Sequence, residues 1–215
     1  MKTIINNDRG VVTYAIGSGT DVEGLNYADD RWDDQYAFID QGTGPAALTY
    51  EGYRDTGFFM RFFRHNQDDN IFMIYQLSHQ WDPTTAVHAH MHCIPMSSGS
   101  GVVKFNYAYS WCMVSGTLPA ASGWTSGSIT ASYTPADQYV QNIIAFGEIA
   151  PPDGATESAI LVFKVERPGS SDVVDTYETG KPQGTAAANL GVLFFDLHYR
   201  KHKPGTQTRY PENGH

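Results

Sequence analysis

The chain has 215 residues and a formal charge of −9, with 41% hydrophobic, 17% charged and 13% aromatic residues. That acidic balance excludes wrapping of a nucleic-acid backbone, which needs clustered Lys and Arg. No apolar run approaches the roughly 18 residues that span a bilayer, so no membrane partner is expected, and residues 1–10 lack an apolar signal core, so no Sec-exported precursor is expected. Tyr, Phe, Val and Thr segments punctuated by Gly, Pro, Asn and Asp favour strands and turns, at a length that suits one large all-β domain. Cys93 and Cys112 are the two cysteines. They are too few for a disulfide framework and lack a zinc spacing, so both are expected to be free thiols.

Residues 11–16 read as a strand and Gly17-Ser18-Gly19-Thr20 as a loop. Asp29, Asp30, Asp33 and Asp34, interrupted by Arg31 and Trp32, form an acidic cluster whose spacing does not match a calcium loop. It reads as a turn whose carboxylates cap backbone amides, with Trp32 anchoring it to the core. Residues 41–45 read as a loop and 46–50 as a short strand. Residues 57–64 and 71–78 are apolar runs of strand length, and the polar stretch 65–70 between them predicts a hairpin. Residues 79–83 make a polar, aromatic corner.

His88-Ala89-His90-Met91-His92 follows. In a strand these imidazoles share one face at a spacing of roughly 7 Å, while Val87, Ala89, Met91 and Cys93 share the other. Beyond the turn 97–101, residues 102–114 predict a long strand with Val103, Phe105, Tyr107, Tyr109, Trp111 and Met113 as a core-facing ladder. Residues 115–127 are turn-rich, and 128–133 and 139–149 read as strands. Pro151-Pro152-Asp153-Gly154 marks a turn, 159–165 a buried strand, 167–184 a polar loop, and 190–199 the last strand before a basic tail. About eight to ten strands without a helix predict a single jelly-roll-like β-sandwich.

The order of these signals is distinctive. Trp32-Asp33-Asp34 comes early, and Gln76-Leu77-Ser78-His79-Gln80-Trp81 leads into the histidine row. A strand containing Trp111 follows, then Phe146-Gly147-Glu148-Ile149, Arg167, Asp175-Thr176-Tyr177 and finally Phe195-Asp196-Leu197-His198-Tyr199. Together they resemble a family of small structural proteins encoded by tailed bacteriophages, with WDD near the start, a QxPHxW…HxHxH centre and a DxHY close. The match covers residues 32–199 and departs at Ser78, where the family tends to have Pro. The resemblance implies a virion component with a jelly-roll or β-sandwich body and a trimeric assembly, without a known catalytic activity. The expected partners are then copies of the chain itself and other virion proteins of the capsid, head fibre or tail. Residues 1–30 and the tail 201–215 would be attachment arms flanking a domain at 31–200.

The histidines allow three readings: metal ligands, a hydrogen-bonded row in a polar interface, or a protonation switch. As ligands, His88, His90 and His92 form the metal set, with His79 and His198 as additions. A cupin-like metalloenzyme is the enzymatic alternative, but the acidic ligand expected a few residues after the row is missing, and Asp196 or His198 would have to replace it. The adopted reading is a row bonded to carboxylates such as Asp82 and Asp196, with Trp32, His79, Trp81, Asp196 and His198 as structural or interface residues. No cofactor is required, and a structural divalent metal is the alternative. No phosphate loop, dinucleotide fingerprint or nucleophile elbow occurs. A third reading is a receptor- or glycan-binding tip for a host surface glycan, with Trp124 as a stacking platform; a structural anchor is the favoured role for that ring.

Overall fold

The computed structural model describes residues 2–7, 10–15, 31–41, 49–64, 68–169, 172–177 and 190–201. The loop 17–20, Asp29 and Asp30, the loop 42–45 and the tail from His202 onward lie outside them. The described strands are β1 (Lys2–Asn7), β2 (Gly10–Ala15), β3 (Arg31–Tyr36), β4 (Phe38–Gln41), β5 (Thr49–Gly52), β6 (Phe59–Phe63) and β7 (Asp69–Gln76). They continue with β8 (Val87–Pro95), β9 (Gly101–Cys112), β10 (Thr125–Tyr133), β11 (Asn142–Ile149), β12 (Ile160–Arg167) and β13 (Leu190–Lys201). Among the described residues the only helical turns are two short 3₁₀ segments. Strands β1 and β2 pair antiparallel in a unit of their own, Met1–Arg31, and the body is Trp32–His215.

The body has two sheets. One runs β11-β8-β13-β6-β5, with β3 also paired to β13, and the other runs β10-β9-β12-β7-β4. From β6 to β13 the chain changes sheet at every step except β9 to β10, which form an antiparallel hairpin. Eight strands wound this way make a jelly roll, two interlocked Greek keys closed into a sandwich. No helix among the described residues is long and apolar enough to cross a membrane.

Two sequence expectations are corrected here. The runs now assigned to β6 and β7 do not form a hairpin, because the chain between them crosses from one sheet to the other. Phe63 therefore belongs to one wall of the core and Ile71, Met73 and Tyr75 to the opposite wall. The crossing is closed by an ion pair: buried Asp69 accepts from the Arg64 backbone N–H at 2.6 Å and from its guanidinium. Trp32-Asp33-Asp34 is the middle of β3 rather than a turn, and Trp32 does not anchor it to the core.

Alternation accounts for the core. Val87, Ala89, Met91 and Cys93 of β8, Phe195, Leu197 and Tyr199 of β13, and Val103 and Phe105 of β9 are all buried between the sheets. Tyr107 and Tyr109 stack on Phe163, and Trp81 stacks on Trp111 at 5.5 Å with planes 7° apart. Each large side chain so buried contributes about 1.5–3 kcal/mol of transfer free energy. A second apolar cluster, Met60, Phe62, Ile94 and Met96 with Tyr53 and Leu193, lies on the opposite face of the β6–β13–β8 sheet. β6 is thus buried on both faces at its end, where Phe62 and Phe63 are adjacent yet both fully buried.

The segment after β12 is pinned by a buried ion pair. The Arg167 guanidinium donates to both carboxylate oxygens of Asp175 at 2.8 Å and to the Tyr177 carbonyl at 3.2 Å. The Thr176 and Tyr177 N–H groups donate to Val102 O at 2.8 and 2.9 Å, bringing that segment against the start of β9. A side chain at Gly101 (φ +154°) would sit 2.7 Å from Thr176 O and Tyr177 Cα, so the approach requires glycine.

Candidate functional site

Strand β8 displays His88, His90 and His92 on the outer face of its sheet, because its alternate residues fill the core. The ladder with β13 sets Phe194 opposite His92, Asp196 opposite His90 and His198 opposite His88. On the other side, β11 sets Ile143 opposite His92, Ala145 opposite His90 and, past a bulge, Glu148 opposite His88. Gly147 lies in that bulge with φ +84°, a conformation glycine adopts without strain. β3 pairs with the far side of β13 and brings Trp32, Asp34 and Tyr36 to the same surface.

Each imidazole has a different environment. His88 meets the edge of Trp32 at 5.1 Å. His92 stacks on Phe194 at 4.1 Å, and the Gln141 amide donates to its Nδ1 at 2.6 Å. That bond leaves the His92 proton on Nε2, which faces Asp196 Oδ1 at 3.5 Å. His90 packs against His198 with ring centroids 4.3 Å apart. His198 Nε2 lies between two carboxylates, 3.0 Å from Asp34 Oδ1 and 3.3 Å from Asp196 Oδ2. Burial first, and then the neighbouring His198, hold the His90 imidazole below its ordinary pKa, with Asp196 opposing the shift.

Among the described residues, His90, Asp196 and His198 bring three potential metal-donor atoms within 4.8 Å of one another. His90 Nδ1 and Asp196 Oδ1 are both buried without a hydrogen bond. An unsatisfied buried polar atom costs about 1–3 kcal/mol.

The sequence-predicted residues therefore separate. The row shares a face as expected, but His90 alone of the three joins the tight group, together with Asp196 and His198. His79 lies in the turn after β7 and is not in that group. Asp82 serves a turn, its Oδ1 accepting from the N–H and hydroxyl of Thr84. Trp81 is a fully buried core residue. Asp34, Phe194 and Gln141 were not singled out as partners of the row, and only Asp34 carried a signal, its place in the acidic cluster. Trp124 lies half-buried, edge-on to Phe72 at 6.3 Å, and donates its indole N–H to Pro119 O at 3.1 Å, the bonding of an anchor.

The opposite sheet carries a separate shallow groove of about 430 Å³, lined by Asn106, Ala108, Ser126, Ser128, Lys164 and Glu166 among others. Lys164 and Glu166 are paired within it at 2.6 Å.

No family model matches this chain, and no curated protein does. Among solved structures it is similar to TmCBM61, determined with β-1,4-galactotriose, at 11% identity over 79% of this chain and 88% of that one, with a TM-score of 0.31. It is also similar to the C-terminal family 22 carbohydrate binding module of Clostridium thermocellum Xyn10B, at 11% identity over 83% of this chain and 87% of that one, with a TM-score of 0.36. A third similarity is to a chain of infectious bursal disease virus, Gx strain, at 12% identity and a TM-score of 0.39; it takes in 96% of this chain and 41% of the viral one.

Proposed function

We propose that this chain is a non-enzymatic structural protein of a tailed-bacteriophage particle, assembled as a homotrimer. The reading is supported by what the scattered motifs do in the fold. Trp32-Asp33-Asp34, the histidine row and Phe195-Asp196-Leu197-His198-Tyr199 lie far apart in sequence yet occupy neighbouring strands β3, β13 and β8 of one sheet. They are joined there by the Trp32–His88, Asp34–His198, Asp196–His198 and Tyr199–Asp33 contacts. Trp81 with Trp111, and Arg167 with Asp175, give two more of the motifs a partner within the fold.

The histidine face suits contact with another copy. Trp32, Tyr36 and Ile143 flank the histidines and are 48%, 65% and 61% exposed. Apolar residues beside a polar strip are the composition of a protein–protein contact. Residues 1–30 and the basic tail are the attachment arms toward capsid or tail proteins, and the site of action is the virion, assembled in the host cytoplasm.

The test is the solution mass of the full chain, together with its recovery from purified particles. Light scattering should give three times the 23.7 kDa chain mass, and Trp32→Ala with Tyr36→Ala should shift the population toward monomer. A monodisperse monomer at high concentration would contradict the trimer. The second reading, a glycan-binding tip, draws on the polar groove over Asn106, Ser126, Ser128, Lys164 and Glu166. A glycan array should then give a signal that Asn106→Ala and Glu166→Ala remove, and an array without binding would contradict it.

A further inference from the structure

We infer that His90, Asp196 and His198 are a binding site for one first-row divalent transition-metal ion, built within a single chain on the outer face of the β8–β13 ladder. Two imidazoles and one carboxylate are donors that suit zinc, cobalt, nickel or ferrous iron, and they are poorly matched to calcium or magnesium, which take oxygen ligands.

The geometry supports this in four ways. First, the three donors lie within 4.8 Å of one another. Bonds of about 2.0–2.2 Å in a tetrahedral site place ligand atoms roughly 3.3 Å apart, so side-chain rotation suffices to close the set. Second, the backbone holds the donors in place. Asp196 lies directly across the ladder from His90, and His198 is two residues further along the same face of β13. Third, His90 Nδ1 and Asp196 Oδ1 are buried without a hydrogen-bond partner, so the group is not a closed network among its own members.

Fourth, the surroundings fit a metal centre. His92 is oriented by Gln141 through Nδ1 and stands 3.5 Å from Asp196 Oδ1 through Nε2, not hydrogen-bonded to it but close enough to do so once the carboxylate turns toward an ion. Asp34 adds a second carboxylate 3.0 Å from His198 Nε2, so neutral imidazoles and two carboxylates balance a divalent charge. The His198 and Asp34 side chains are 38% and 54% exposed, which leaves an entry path from solvent. His88 takes no part, because its ring rests against Trp32.

The site is intrachain, so it does not rest on the virion reading. A monomer that binds the ion would overturn the trimer and leave this inference standing.

The experiment is zinc binding to full-length protein stripped with a chelator and dialysed, followed by calorimetry and elemental analysis. Wild type should take up one zinc per chain. His90→Ala, Asp196→Asn and His198→Ala should each weaken binding at least ten-fold, while His88→Ala keeps it. Absence of stoichiometric binding by wild type would overturn the inference. So would undiminished binding in the His90 and His198 variants, which would place the ion elsewhere on the chain. If a variant fails to fold, zinc-edge X-ray absorption of wild type decides: two imidazoles with carboxylate oxygen support the site, and an all-oxygen or thiolate shell overturns it.

Discussion

At Arg167 a guanidinium without exposed surface meets the carboxylate of Asp175, which is nearly as deeply buried. Removing one partner leaves the other charged and unpaired inside the protein. Arg167→Met is therefore expected to cost about 3–5 kcal/mol in urea unfolding. The double variant Arg167→Met, Asp175→Leu should recover most of that loss, and a single variant as stable as wild type would contradict the pairing. The cysteines give a second test at this scale. Cys93 lies in the core with its sulfur 3.2 Å from the Tyr133 hydroxyl, and burial pushes its thiol up to about 11. Cys112 is only partly buried. A thiol reagent should modify Cys112 in the native protein and reach Cys93 only on unfolding. Rapid modification of both would mean that β8 is not buried as described.

Individual strands were legible wherever the residue pattern is set by one buried face. The ladder Val103, Phe105, Tyr107, Tyr109, Trp111 and Met113 was read as core-facing; the five on β9 and Met113 just beyond its end are all buried or partly buried against the core. Pairings were less legible, because sheet switching leaves no trace in alternation. Phe59–Phe63 and Asp69–Gln76 have the sequence of a hairpin and belong to opposite sheets. β3 was missed for a related reason. Asp33 and Asp34 resemble turn residues, yet as strand residues they reach Lys201 at 2.8 Å and His198 at 3.0 Å. Close approach between elements also escaped the sequence. Gly101 read as part of a flexible turn, but it lets the Thr176 segment reach β9. Gly101→Ala should lower stability by more than about 1 kcal/mol, since both its φ and the backbone atoms it would meet oppose a side chain. A melting temperature equal to wild type would show that the two segments separate at little cost.

For the whole molecule, strand count and spacing were enough to predict a jelly-roll-like sandwich, and the eight-strand winding from β6 to β13 has that form. The histidine face was half legible. Period two put the row on one surface, but its partners Asp34, Phe194 and Gln141 arrive through the pairings of β3 with β13, of β13 with β8 and of β11 with β8. No local pattern encodes such neighbours. The central claim is that this body is a repeated component of a phage particle, and quantitative mass spectrometry of gradient-purified particles tests it most directly. The expected result is peptides of this chain at a copy number that is a multiple of three, retained after a high-salt wash. Particles that are infectious and complete without the chain would contradict the account.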